Sequence, residues 1–591
     1  MKINRATLIE LLLAIFAVSM NFSQEKVFGG WGIQTLLIIL VLCCVFVAVQ
    51  DKNKKGWLLN GLCGLFAFFT LIGQSYIQLG NFDVLFADMV CVAQTLIRGF
   101  GYTLIFRNSI LFVRGLCERA PKKLWRREAG NKIEKWLFED CSFWGALLLI
   151  WLFETPWLIS FLPGTLEPDA KHQLLMALNY VEITGHHPVI VTKLMGKCMY
   201  IGRILFGNDT MGIFVYTFSQ FITQSLVFAY TSYVLGKIKV PICLRWVTLA
   251  YYCIYPIFPM WGITMVKDTG YYILILLFVA ALVHLLREQD TRFNWLPRVL
   301  LVLSIGGISC FRKDGCAVVI VVMLCAILVY RKYWKIFLLG IVTCFSCFLL
   351  VNKVYMTYEN IPGGSVREML SIPLQQTARY VKEHYDEIAS DEVEVLQEIF
   401  AVELEQLAEI YHPELSDPVK QMFLLEPTDE QLKAYLDVWW QQFLKHPDTY
   451  IQAFFNHTYG YYYPGAKESW EGEDIGVFNI SECTYFNINF IIEDFVGREL
   501  LEEYSRFVKR IPIIGMLYRV GLHTWILLGC ICMLIAKKRG KELVVYLPGI
   551  CIVAICIISP VNTCVRYMLP VMALLPIHLG CLTKKMDEVP A

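Results

Sequence analysis

Charge is scarce in this chain: Asp, Glu, Lys and Arg make up 17% of 591 residues, hydrophobic residues make up 57%, and the formal net charge is +1. So little charge excludes an ordinary soluble domain, and the mean hydropathy of +0.52 agrees. No sustained basic stripe exists to neutralise a phosphate backbone, which excludes nucleic acid as a partner. Spaced CxxC pairs and a disulfide framework are also missing. The 21 cysteines fall mostly in apolar runs, as at Cys43, Cys44, Cys530, Cys532, Cys551 and Cys556, where a thiol acts as a small hydrophobe. The apolar core of residues 1–22 is followed by no small-x-small cleavage pattern, so it is expected to be a retained first span.

Long apolar runs fill the chain instead. Runs near 6–22, 31–50, 57–77, 87–113, 142–161, 210–235, 246–262, 270–286, 298–311, 315–331, 334–352, 517–536, 543–559 and 566–582 predict about 14 spans, against the roughly 20 residues needed to cross the hydrocarbon. The expectation is an all-α polytopic membrane protein. Threading these spans puts the basic clusters on one side: Lys2/Arg5, Lys52/Lys54/Lys55, Lys122/Lys123/Arg126/Arg127, Lys237/Lys239/Arg245, Arg287/Arg292, Arg331/Lys332/Lys335, Lys537/Lys538/Arg539/Lys541 and Lys584/Lys585. Both termini are then cytoplasmic.

The chain divides into N-terminal accessory spans (1–117), a basic cytoplasmic interfacial segment (118–141), a transmembrane core (142–352) holding an outer loop (162–209), an extracellular, mostly helical domain (353–515) and C-terminal spans (516–591). Residues 188–206 carry Lys193, Lys197, Tyr200 and Arg203 among apolar residues at helical spacing, which predicts an amphipathic helix on the outer leaflet. In 353–515, Leu396, Phe400, Leu404 and Leu407 share one face of an acidic helical stretch. Trp439, Trp440, Tyr459, Tyr461, Tyr462 and Tyr463 follow, either as a surface that stacks on sugar rings or as ordinary core.

Polar motifs at the outer span ends are Pro168-Asp169, Gly185-His186-His187-Pro188, Lys267-Asp268, Arg312-Lys313-Asp314-Gly315 and Arg566-Tyr567. Ionisable groups there are costly unless paired or wet, so they mark an active or transport site. Asp169 is the candidate general base, able to take a proton from an attacking hydroxyl; the competing reading is a helix N-cap. Lys267, Arg312 and Lys313 are candidates to bind a leaving phosphate, unless Lys267 neutralises Asp268 and Lys313 neutralises Asp314, the reading preferred for Lys313. His186 and His187 set a turn, bind substrate, or hold a metal with Asp169 or His172, although their spacing matches no zinc motif. Arg566 reaches the same cavity or anchors the interface.

This order of Pro163-Gly164, Asp169, Gln173, His186-His187-Pro188, Lys267-Asp268, Arg312-Lys313-Asp314-Gly315 and Arg566-Tyr567 with Pro570 resembles the DUF6020 family of bacterial membrane proteins, over about residues 140 to 582. Members of that family look like GT-C glycosyltransferases, a superfamily that includes the protein O-mannosyltransferases and the aminoarabinose transferase of lipid A. The resemblance implies a GT-C-like bundle in the bacterial cell membrane, two juxtamembrane helices, a polyprenyl-phosphate sugar as donor, and inverting transfer to an extracellular cell-wall polymer or glycolipid. It makes Asp169 the catalytic base, with His187 and Pro188 shaping the loop behind it, and it leaves His186, His187, Lys267, Asp268, Arg312 and Arg566 as the substrate-binding set. Two departures stand out. Lys313-Asp314 replaces an expected Asn pair, and Asp169-Ala170 replaces the Asp-Glu of the mannosyltransferases, so a divalent metal stays an open question. The alternatives are a transporter or flippase of a lipid-linked or anionic substrate, against which stands the lack of an internal repeat, and a non-catalytic assembly partner.

Overall fold

The computed structural model describes residues 3–24, 33–50, 56–121, 123–287, 295–466, 485, 488–492 and 496–583. Of the orienting basic residues, Lys2, Lys52, Lys54, Lys55, Lys122, Arg292, Lys584 and Lys585 lie outside the described residues.

The described part of each apolar run is helical. Run 246–262 is split into Ile242–Ile254 and Ile257–Gly262, because Pro256 pushes Tyr255 into an extended conformation (ψ 116°) and so stops the first helix. Among the described residues, seven helices are long and apolar enough to cross a membrane: Trp57–Leu79, Met89–Arg119, Ser142–Ser160, Thr210–Lys237, Lys267–Leu286, Arg331–Tyr358 and Val565–Leu582. The protein is therefore a helical membrane protein. Seven falls short of the fourteen expected, since Ile242–Ile254, Trp295–Phe311, Val520–Ala536 and Leu547–Ile557 are apolar but shorter. Leu547–Ile557, with 11 residues, rises only about 17 Å at 1.5 Å per residue, against a hydrocarbon layer of about 30 Å.

Helices Lys267–Leu286 and Val565–Leu582 form the centre. Each is 78% buried along its most apolar window, whereas Arg331–Tyr358 is 17% buried and runs along the outside. Phe278, Val279, Ala280, Ala281, Leu282 and Val283 are fully enclosed in succession, as expected of a helix that is apolar all round. Lys267–Leu286 packs against Thr210–Lys237, Trp295–Phe311 and Val565–Leu582. The first four helices pack mainly on one another and join the body where Trp57–Leu79 meets Val520–Ala536.

Residues 371–458 have a core of their own, in which Leu396, Phe400, Leu404 and Leu407 lie together with Leu374, Val419 and Tyr435, although not on one helix face: helix Ser390–Ile399 ends before Phe400, which is extended, and Leu404–Ile410 is a separate helix. The aromatic stretch after it is not an open sugar-stacking surface. Tyr459, Tyr461 and Tyr462 are buried, and Thr524 Oγ1 and Trp525 Nε1 donate to the Tyr461 and Tyr462 carbonyls at 2.6 and 2.7 Å. The apolar rings are taken up in joining this region to the bundle. Trp440 stays half exposed.

The amphipathic segment forms helix Val189–Phe206, which buries Val191, Met195, Cys198 and Met199 and leaves Tyr200, Ile204, Leu205 and Phe206 exposed. One element was not legible in advance: strand β1 (Thr165–Leu166) pairs in parallel with β2 (Thr264–Met265), Thr165 opposite Thr264 and Leu166 opposite Met265. Both strands are buried.

Candidate active site

Each strand runs straight into a helix. β1 leads through Glu167 to helix Pro168–Ala177, and β2 leads through Val266 to helix Lys267–Leu286. Because the strands are parallel and in register, both helices start side by side. Gly164 makes this approach feasible: its φ is +121°, and a Cβ there would lie 2.5 Å from Thr217 Cγ2 and 2.8 Å from the Ile263 carbonyl. The Thr165 and Thr264 hydroxyls meet at 2.8 Å, and Gln220 Nε2 donates to the Thr264 carbonyl at 2.8 Å. These bonds satisfy short strands that have no wider sheet to join.

Glu167, not Asp169, caps the first helix, accepting from the Asp169 amide at 2.8 Å. Pro168 at the first helical position explains why, since a helix that begins at proline puts its cap one residue earlier. Asp169 is thereby free for other work. Lys267 Nζ donates to Asp169 Oδ2 at 2.6 Å, and Arg566 Nη1 lies 3.4 Å from the same oxygen while also pairing with Glu167. His187 Nδ1 lies 3.4 Å from Lys267 Nζ. The Asp169 side chain is 31% exposed and that of Arg566 only 7%, so the carboxylate forms the open edge of a buried cluster.

A second cluster adjoins the first. Arg312 Nη1 holds Asp268 at 2.6 Å, and its Nε and Nη2 grip Asp314 at 3.0 and 2.8 Å. The Arg312 guanidinium stands 5.1 Å from the Tyr567 ring, which also faces Arg566 at 5.2 Å. Neither expected neighbour pair forms. Lys267 reaches Asp169, 98 residues away, and Lys313 donates to the Gly185 carbonyl at 2.7 Å. Adjacent residues at a helix start point in different directions, which parts Lys267 from Asp268. Asp169, His187, Lys267 and Arg566 thus come together, Asp268 and Arg312 sit beside them, and His186 turns away toward Glu368, 3.6 Å off. The His172 and His187 rings meet edge to face at 5.6 Å, and the Lys267 ammonium occupies the space between His187 and Asp169 that a metal would need.

Five helices, beginning at Pro168, Val189, Lys267, Lys313 and Val565, contribute their N-terminal ends. Three acids, Asp169, Asp268 and Asp314, occupy second helical positions, where the dipole favours them; Lys267, Arg312, Lys313 and Arg566 occupy first-turn or capping positions, where it does not. Burial alone would push the Asp169 carboxyl up, but Lys267 and Arg566 outweigh it and hold the group well below the usual carboxylate range. Burial, with Lys267 beside it, brings the His187 imidazole down to about 2, so the ring is neutral and Nδ1 accepts from the ammonium. Asp169 is accordingly ionised and ready to accept a proton, yet weakly basic while both cations stay on it.

Glu167 is the site residue missed in the sequence; proline at the first helical position was the signal for it. Nearby, a cleft of about 470 Å³ runs along Val189–Phe206, lined by Ile190, Lys193, Leu194, Lys197, Tyr200 and Tyr355.

No curated protein and no solved structure matches the chain. The model of a family described as "Family of unknown function (DUF6020)" matches residues 175–588, well over half of the chain. The match begins just after Asp169 and takes in His187, Lys267, Arg312 and Arg566. The chain belongs to the DUF6020 family.

Proposed function

We propose that this protein is a GT-C-type glycosyltransferase that moves a sugar from a polyprenyl-phosphate donor to an acceptor hydroxyl on a cell-wall polymer or glycolipid, at the outer face of a bacterial cell membrane. In this reading about 14 helices, the shorter ones included, serve as spans, both termini are cytoplasmic, and residues 353–515 close over the acceptor from outside. The observation that carries it is Asp169: an ionised, partly exposed carboxylate sharing Lys267 and Arg566.

Asp169 accepts the acceptor's proton as that oxygen bonds to the anomeric carbon. The bond from carbon to phosphate oxygen breaks, its electron pair stays on the phosphate, and the configuration inverts. Lys267, Arg566 and Arg312 then face the growing phosphate charge, aided by the positive ends of the helices around them. The weak basicity of Asp169 suits this order of events. A donor phosphate draws Lys267 and Arg566 toward itself, and the carboxylate regains basicity once the donor is bound. The cleft on Val189–Phe206, apolar with Lys193 and Lys197 beside it, suits the isoprenoid tail.

A transporter is the second reading, favoured by Glu154, a fully buried carboxylate that accepts from Gln224 Nε2 at 3.3 Å inside a spanning helix. Purified protein in vesicles, given labelled polyprenyl-phosphate sugars and acceptor glycans, separates the two. Transfer that vanishes in Asp169→Asn, with the variant still inserted and folded at the assay temperature, supports the transferase. Full transfer by that variant overturns the role of Asp169, and translocation without transfer favours the transporter.

A further inference from the structure

The imidazoles of His384 and His446 stack face to face away from the Asp169 site, their ring centroids 3.7 Å apart and planes 16° from parallel. Glu387 reaches both: one carboxylate oxygen lies 2.7 Å from His446 Nε2 and the other 3.4 Å from His384 Nδ1. One ligand atom from each of the three residues lies within 4.8 Å of the others.

The surrounding hydrogen bonds decide which nitrogen of His384 faces the carboxylate. Arg379 Nε lies 2.9 Å from a Glu383 carboxylate oxygen. With His384 in the tautomer that carries Nε2–H, that proton goes to Thr449 Oγ1 at 2.8 Å, and the Thr449 hydroxyl donates to Glu383 at 3.3 Å. In a neutral His384 the remaining nitrogen, Nδ1, then carries a lone pair aimed at a carboxylate oxygen. Two electron-rich atoms face each other unless a positive charge lies between them. The ring N–H anchored by an outer partner, with the lone pair turned inward, is also how metal-bound histidines are held.

We propose that His384 Nδ1, His446 Nε2 and the Glu387 carboxylate bind a divalent transition metal ion, zinc by preference, with water completing the coordination. Two imidazoles and one carboxylate favour zinc over magnesium or calcium, which take oxygen ligands. Distances of about 2.0–2.2 Å from the metal require the three ligand atoms to draw inward. Glu387, 57% exposed, has the freedom to do so. The buried Tyr380 ring packs 5.2 and 5.7 Å from the two imidazoles and limits their own movement. The metal would tie the turn after helix Ser371–Glu383 to the joint between Asp429–Lys445 and Pro447–Thr458, holding closed the unit whose core includes Leu374 and Tyr435. This site is independent of the proposed transfer reaction.

The test uses full-length protein in detergent, stripped with a chelator and titrated with zinc, magnesium or cobalt. The wild type should take up one more zinc ion per chain than the His384→Ala/His446→Ala double variant, and zinc should raise its Tm by several degrees while magnesium does not. Glu387→Gln, which keeps the side-chain volume and a carbonyl acceptor, should weaken zinc binding at least tenfold without loss of fold. Bound cobalt should show d–d bands without a thiolate charge-transfer band. Equal zinc uptake by wild type and Glu387→Gln overturns the proposal, as does a thiolate signature, which would put the metal on cysteines. Stabilisation by acid with no site-specific zinc uptake also overturns it, since a proton would then be what bridges Nδ1 and Glu387.

Discussion

The cations at the two ends of the central bundle stand at opposite poles of their helices, although acids pair with both, Glu542 with Arg539 and Arg287 at one of them. At the end where helix Val565–Leu582 finishes, Arg539 donates to the Cys581 and Leu582 carbonyls at 2.7 and 2.9 Å, Arg287 to Cys581 at 3.4 Å and Arg127 to Thr583 at 3.2 Å. Those cations sit at a helix C-terminus, where the dipole welcomes them and orphan carbonyls need donors. At the other end Lys267, Arg312, Lys313 and Arg566 stand at helix N-termini, where the dipole opposes each by about 0.3–1 kcal/mol. They are kept in place by Glu167, Asp169, Asp268 and Asp314 and by the Gly185 carbonyl. The first arrangement is what stability alone would select. The second sets cations against the positive ends of helices and needs buried acids to hold them, an arrangement that stability alone would not select.

Substitutions at the two ends should therefore separate activity from stability. The largest effect on activity is expected from Asp169→Asn, lowering transfer per folded molecule by about 10²–10⁴-fold, the usual contribution of a general base. Lys267→Met should lower transfer by about 10²–10³-fold through the lost stabilisation of phosphate charge, seen in single-turnover rates with excess enzyme. Arg566→Met removes the cation that pairs with the buried Glu167 carboxylate and should destabilise the fold by about 3–5 kcal/mol, read in thermal unfolding, with Arg566→Lys recovering part of it. Arg539→Gln should do the reverse of Asp169→Asn, lowering Tm while transfer per folded molecule is kept. A fall in transfer as large as that of Lys267→Met would erase the contrast between the ends.

Acid sharpens the comparison further. The carboxyl of Asp169 is held below its unfolded value, chiefly because Lys267 and Arg566 outweigh its burial. Its stabilisation is therefore complete above the ordinary carboxylate pKa and is lost only as pH falls through the lower, folded value. The stability gap between wild type and Asp169→Asn should stay constant through neutral and mildly acid pH and close below the ordinary carboxylate range. Lys267→Met should move that closure upward. The smallest effect is expected from His186→Ala, whose partner is Glu368 and not the central cluster; His187→Ala removes an acceptor for Lys267 and should slow transfer more.

Much of this was legible in the residues. Runs of apolar residues predicted where helices form, and charged motifs at their ends predicted one shared face, because an ionisable group cannot rest in hydrocarbon and collects where water and partners are available. Pairing was harder to read. Lys267-Asp268 and Lys313-Asp314 look like local ion pairs in the sequence, yet a helix start points neighbouring side chains apart: Lys267, Asp268 and Lys313 find partners in distant segments, and Asp314 pairs with Arg312. Glu167 was missed because Asp169 seemed the more obvious cap, although Pro168 had already moved the cap back by one residue. Tyr459 to Tyr462 left a sugar platform and ordinary core both open, and they are buried as core, since composition does not say which face of an aromatic segment finds a neighbour.

What the sequence determined alone is the helical membrane character, set by hydropathy and run length, and the sidedness of charge within each run. Tertiary structure decided which acid meets which cation, through two short strands, β1 and β2, that no periodicity announces. Two-residue strands carry almost no local propensity and form only because the surrounding helices bring their buried backbone groups into hydrogen-bond range. That long-range closure sets Asp169 beside Lys267 and Arg566.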